Sequence, residues 1–170
     1  MADFTLYCFA QSGNAYKAAL MLNLCGADWT PRFVDFFNGE TRTPAYRALN
    51  VMGEVPILVH GERQLTQSGV ILDHLAAHFG RFGAGNDEER REILRWLLFD
   101  NHKFTSYTAT YRFLRQFAGQ GDSPTAQFFA QRMRGAFGVL DAHLATRAFA
   151  LPDVSTEIAG LSGAQTFDHC

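Results

Sequence analysis

The chain of 170 residues has little cysteine, little proline and no long uninterrupted apolar run. Its three cysteines, Cys8, Cys25 and Cys170, form no Cys-x-x-Cys pair, so neither a disulfide framework nor a dithiol redox motif is expected. The pattern fits a reduced, cytoplasmic protein in which Cys8 is a packed strand residue. An excess of one charge is missing as well. Lys and Arg number 15 against 17 Asp and Glu, for a formal net charge of −2, and the signs are interspersed. That excludes the basic stripe of a nucleic-acid binder. No stretch approaches the roughly 20 apolar residues that span a bilayer, and the opening "MADFTLYCFAQSG" has no basic n-region or long apolar core of a signal peptide. Neither nucleic acid nor membrane is therefore expected as a partner. What the chain does have is apolar mass: 47% of its residues are hydrophobic, enough for one ordinary core or two small ones.

Residues 1–80 alternate strand and helix signals. "FTLYCF" (4–9) predicts a strand, and "NAYKAALMLNLCG" a helix ending at the glycine Gly26. "TPRFVDFF" (30–37) predicts a second strand; Thr43 followed by Pro44 caps and opens a short helix to about Leu49. "PILV" and "RQLTQ" flank "HGE" as a hairpin, and Ser68 caps a helix that stops at Gly80. The order β-α-β-α-β-β-α requires a parallel crossover followed by an antiparallel hairpin. The expected fold is therefore α/β, a mixed four-stranded sheet with flanking helices. A glycine-rich linker spans 81–86, and after it the pattern is helical only. Asn86 and Glu89 make a capping-box-like start to one long amphipathic helix carrying Leu97, Phe104, Tyr107, Tyr111 and Leu114. Ser123-Pro124 starts another, with Phe129, Met133, Phe137, Leu140 and Leu144 along one stripe. Residues 151–170 lose all periodicity and read as an atypical tail.

Three features of the first eighty residues carry chemistry. Ser12 sits where strand one meets the first helix, and a helix N-terminus favours anions. A hydroxyl there can donate to a thiolate, or it can be an ordinary cap. Val55-Pro56 precedes a strand. A cis bond would turn the Val55 N–H and C=O toward a ligand backbone, while a trans proline would merely start the strand. Gln67-Ser68 opens the third helix and suits an α-carboxylate with its amino group, or is again a capping pair.

"LYCFAQSGNAYKAALMLNLCG", "TPAYRALNVMGEVPILV" and "LTQSGVILDHLA" together resemble the N-terminal thioredoxin-fold domain of cytosolic glutathione S-transferases, most nearly the bacterial and serine-type members. The likeness covers residues 4 to about 80, and in weaker form about 87 to 147 as the start of the family's all-helical domain. It implies a domain of residues 1–80 that binds glutathione, then the 81–86 linker, then a helical domain over 87–170. It implies that Ser12 stabilises the glutathione thiolate; Asn14, at the same junction, is a candidate to assist and to bind glutathione. Val55, ahead of a cis Pro56, would pair with the tripeptide backbone beside Glu54, and Gln67 and Ser68 would hold the γ-glutamyl end. Tyr7 is the rival of Ser12, since other classes use a tyrosine near the end of strand one; Lys17 either assists or is a solvated helix residue.

The implied reaction is conjugation of glutathione, as co-substrate, to a small electrophile. Its pocket would be bordered by Phe9, Ala10, Tyr107 and Tyr111, and the protein would be a homodimer. The alternatives are a non-catalytic scaffold of the same fold and a glutathione-dependent isomerase or dehalogenase. Two positions depart from the pattern: Glu54 where glutamine or a basic residue is common, and Val51 where proline follows asparagine. The family's helical domain also continues past residue 150 through a buried, capped helix of which "STEIAG" is at most a trace, so a truncated or altered end is expected. No metal is implied. His74 and His78 lie four apart on a helix, but the sequence offers no third ligand at useful spacing.

Overall fold

The computed structural model describes residues 2–147; the expected tail at 151–170 lies outside them. The chain divides into two compact units, Met1–Arg81 and Phe82–Cys170.

In the first unit, β1 (Phe4–Cys8), β2 (Trp29–Phe33), β3 (Ile57–His60) and β4 (Arg63–Thr66) form one sheet in the order β2-β1-β3-β4. β1 and β2 are parallel, and the β1/β3 and β3/β4 pairs are antiparallel. The mixed four-stranded sheet expected from the element order is therefore present. β2 stops at Phe33 rather than Phe37, because its partner β1 ends at Cys8, opposite Phe33, where the chain turns away into the first helix. Pro56 stands one residue ahead of β3, an inner strand, so its missing N–H falls just outside the ladder and not along an edge.

Helix α1 (Gly13–Leu24) packs beside α3 (Ser68–Phe79), while α2 (Pro44–Leu49) is a short helix between β2 and β3. The alternation of β1 sorts its side chains. Phe4 and Leu6 are buried, with the Phe4 ring meeting His78 and Phe79 of α3. Tyr7 points oppositely and packs on Val34, Tyr46 and Ile57. Met21, Leu22, Leu58, Ile71, Leu72 and Leu75 have no exposed surface at all. Burying each stabilises by roughly 1.5–3 kcal/mol before entropy is counted.

Local chemistry sets the helix ends. Thr43 accepts from the Tyr46 N–H ahead of Pro44, and α1 closes with Gly26 at φ 68° while the Ala27 N–H bonds the Leu22 carbonyl.

The second unit is helical: α4 (Asp87–Phe99), α5 (Thr105–Arg112) and α6 (Pro124–Leu144). Asn86 Oδ1 accepts from the Glu88 and Glu89 N–H groups, and Asn86 Nδ2 donates to the Glu89 carboxylate at 2.8 Å, the expected capping-box-like start with the return bond made to the side chain in place of the backbone. The single long helix expected from residue 87 onward is corrected: turns of wider, π-type pitch at Asp100–Phe104 and Phe113–Phe117 interrupt it. The first of these lets Phe104 bury against Phe137 of α6, ring centroids 4.6 Å apart. Of the expected α6 stripe, Leu144 is exposed; the most buried positions are Ala126, Ala130 and Ala136. Among the described residues no helix is long and apolar enough to cross a membrane.

Candidate active site at the starts of helices α1 and α3

Ser12 is the N-cap of α1, and its hydroxyl oxygen accepts from the Ala15 N–H at 3.2 Å. Capping uses a lone pair and leaves the hydroxyl hydrogen able to donate. The two readings of Ser12 are therefore compatible. The residue is half-buried, with the positive end of α1 behind it.

Two residues on, Asn14 joins this helix to α3. Ser68 Oγ donates to Asn14 Oδ1 at 3.2 Å, although the two residues are 54 apart in sequence. The N-termini of α1 and α3 thus meet, and both present positive dipole ends there. The expectation that Ser68 caps α3 through its side chain is corrected. Ser68 is the first helical residue, its hydroxyl is engaged with Asn14, and Gln67 holds the cap position without a side-chain capping bond. Lys17 is not a solvated helix residue either. It is 1% exposed, and its ammonium donates to the same Asn14 Oδ1 at 3.2 Å.

The loop ahead of β3 is bonded to the start of α3. The Val55–Pro56 bond is cis. The carbonyl of Glu54 accepts from the Tyr46 hydroxyl at 3.0 Å and from Asn50 Nδ2 at 2.8 Å, so two side chains of the α2 region fix the backbone just before Val55. Sequence reading missed both; the only local signal is that Asn50 follows the helix, a position where asparagine bonds nearby backbone. Burial, with help from Glu40 and Tyr7, pushes the Tyr46 phenol up to about 12, so it remains a donor. Gly53 has φ +65°, and a Cβ there would meet the Thr41 carbonyl oxygen at 2.8 Å. Gln67 Nε2 bonds Glu54 Oε2 at 2.8 Å, which ties this loop to the start of α3. Gln67 itself sits at φ 69°, ψ 121° without being glycine, a conformation costing on the order of 1–3 kcal/mol that surrounding structure must hold.

The remaining predicted residues fall as follows. Phe9 stacks on Phe36, centroids 4.6 Å apart, and meets Phe37 edge-on; Ala10 is exposed in the turn between β1 and α1. Tyr7 faces the Val34, Tyr46 and Ile57 cluster with the Arg32 guanidinium 4.9 Å over its ring. Tyr107 and Tyr111 belong to α5 in the second unit, where their hydroxyls accept from Lys103 at 3.4 Å and Arg115 at 2.8 Å. Burial raises the Cys8 thiol above its usual value and so disfavours the thiolate. The histidine pair gains a neighbour that the sequence hid: His60 Nδ1 lies 3.0 Å from His74 Nε2, and the His60 and His78 rings are 4.6 Å apart. Among the described residues, no group of three His, Cys, Asp or Glu is arranged to hold a metal ion.

Comparison with known proteins bears on the family and the fold. The sequence model described as "Glutathione S-transferase, N-terminal domain" matches residues 2–77. A possible glutathione S-transferase of known structure from Rhodopseudomonas palustris is 31% identical, with TM-score 0.85, over 95% of this chain and 80% of that one. A glutathione transferase from Pseudomonas putida, solved with one glutathione disulfide bound per subunit, shares the fold at 24% identity and TM-score 0.83, over 95% of this chain and 72% of that one. The transcriptional regulator URE2 of Saccharomyces cerevisiae is 28% identical over 177 residues, 98% of this chain and 50% of its own length. The chain spans about half the length of the URE2 relatives it matches. A match over residues 2–77, which hold all four strands, joined to a 31% identical relative aligned along most of both chains, places this chain in the glutathione S-transferase family.

Proposed function

We propose that the protein is a glutathione transferase: it binds glutathione at the joined starts of α1 and α3 and directs its thiolate at a small electrophile. The single observation that carries this reading is the Ser68-to-Asn14 bond, which brings two helix N-termini together beside Ser12. A free thiol has a pKa of about 8.5 and is only a few per cent ionised at neutral pH. A hydroxyl donor and helix dipoles aimed at the sulfur raise that fraction without a general base. Ser12 is the thiolate donor in this reading, because it stands at the N-terminus of α1, whereas Tyr7 lies within β1 and packs on Val34, Tyr46 and Ile57. Gln67, Ser68 and the Val55 backbone hold the peptide, and Phe9 with Phe36 offers an apolar surface to the electrophile. We also propose the homodimer that the family likeness implies.

Steady-state kinetics with glutathione and a panel of electrophiles test the proposal. Ser12→Ala should lower kcat by about 10²–10³-fold, the size of losing one oriented donor to a developing anion. The lost cap should cost only about 1 kcal/mol of stability. An unchanged kcat removes Ser12 from the role. A second reading, glutathione binding without conjugation, is favoured by the likeness to a relative named a transcriptional regulator. Glutathione binding with no turnover of any electrophile selects it.

A further inference from the structure

Asn14 Oδ1 receives two donors, one from each side of the site: the Lys17 ammonium and the Ser68 hydroxyl, each at 3.2 Å. The two are not equivalent. A hydroxyl can donate or accept, so Ser68 would tolerate either end of the Asn14 carboxamide. An ammonium has three donors and no acceptor, so the atom that faces it must be the oxygen. Lys17 therefore dictates which way the carboxamide is turned, and Asn14 Nδ2, with its two N–H donors, is kept turned away from Lys17. Lys17 is suited to this because it is 1% exposed on the inner side of α1, while Asn14 is half-buried. We propose that Lys17 is a positioning residue that keys the Asn14 amide so that its NH₂ donates to an anionic group of glutathione, the thiolate or the α-carboxylate. The inference rests on glutathione being the ligand. It adds that the donor at Asn14 exists only while a donor-only side chain lies behind it.

The test compares three variants at position 17 in the full chain. Lys17→Met keeps the length and removes the donors, and Lys17→Gln keeps polarity but can accept as well as donate. Lys17→Arg, like lysine, can only donate. Glutathione affinity by calorimetry should fall about tenfold in Lys17→Met and Lys17→Gln, the size of one hydrogen bond to a charged group, and recover most of that loss in Lys17→Arg. Because the effect runs through Asn14, Lys17→Met in an Asn14→Ala background should cost nothing further, which a merely structural lysine would not show. S-methylglutathione separates the two anions. If it loses affinity as glutathione does, the carboxylate is the partner; if only glutathione loses affinity and its bound thiol pKa rises, the thiolate is.

Wild-type affinity in all three variants, or additive losses with Asn14→Ala, overturns the proposal. Should Lys17→Met fail to fold, Lys17→Gln against Lys17→Arg carries the same contrast. Failure of the wild type to bind glutathione at all is the distinct result that removes the ligand assignment and this inference with it.

Discussion

The two units of this chain bury their apolar residues differently. In the first, Leu6, Met21, Leu22, Val34, Ile57, Leu58, Ile71, Leu72 and Leu75 are fully enclosed between a sheet and its helices. In the second, the most buried large apolar side chains, Ile93, Trp96 and Phe104, keep 4–6% of their surface; exposed apolar residues occur in both, as Phe33, Val51 and Val70 in the first and Leu94, Leu98 and Phe128 in the second, so the difference lies in how completely the core is closed. A sheet gives each strand residue a committed face. Helices that pack only on one another close their shared core less completely than a sheet covered by helices does. The lesson is that the residues proposed to hold glutathione can be positioned by the first unit alone: Ser12, Asn14, Lys17, Glu54, Gln67 and Ser68 all lie within it, with Lys17 and Ser68 bonded to Asn14 and Gln67 to Glu54.

The sharpest way to break that comparison is paired truncation. Leu72→Ala should destabilise by about 2–5 kcal/mol, whereas Leu98→Ala should stay within about 0.5 kcal/mol, both read by urea unfolding. Comparable costs would mean that Leu98 is covered in solution. Next in size is Gly53→Ala. The new methyl would sit 2.8 Å from the Thr41 carbonyl oxygen and 3.1 Å from the Arg47 side chain, at a φ that alanine disfavours. It should cost on the order of 1–3 kcal/mol and weaken glutathione binding, since Glu54 and Val55 follow directly. Asn86→Ala should cost about 1 kcal/mol by removing the cap of α4 and leave glutathione affinity unchanged; a change in affinity would tie the second unit to the site.

A smaller effect concerns pH. His60 and His74 are held below the usual histidine value, by burial first and then by neighbouring imidazoles and Arg63, with Asp3 and Asp73 opposing. The unfolded chain therefore takes up protons before the folded one does. This contribution to stability is present above about pH 6.5 and is lost as pH falls through the unfolded and then the folded value. The melting temperature should drop on acidification over that window, and His74→Gln should flatten the slope. An equally steep slope in the variant would assign it to other groups.

Much of the fold was legible because its signals are local. Thr43-Pro44, Ser123-Pro124 and Asn86 with Glu89 specify helix starts within four residues, and each cap is present. The strand alternation and the parallel crossover followed from element order. What was hidden is non-local or fine-grained. The burial of Lys17 depends on α3 packing over α1. The approach of His60 to His74 depends on β3 meeting α3, and the π-type turns shift the hydrogen-bond step without changing the apolar spacing that sequence displays. Ser68 deceived for a related reason. A serine at a helix start reads as a cap, and only the partner helix shows that its hydroxyl faces Asn14.

The central claim is that the starts of α1 and α3 stabilise a thiolate through Ser12. Ultraviolet absorbance of bound glutathione, followed against pH, measures this directly. In the wild type the bound thiol should titrate well below the free value of about 8.5, and in Ser12→Ala it should return close to it. A wild-type complex whose thiol titrates like free glutathione would contradict the account.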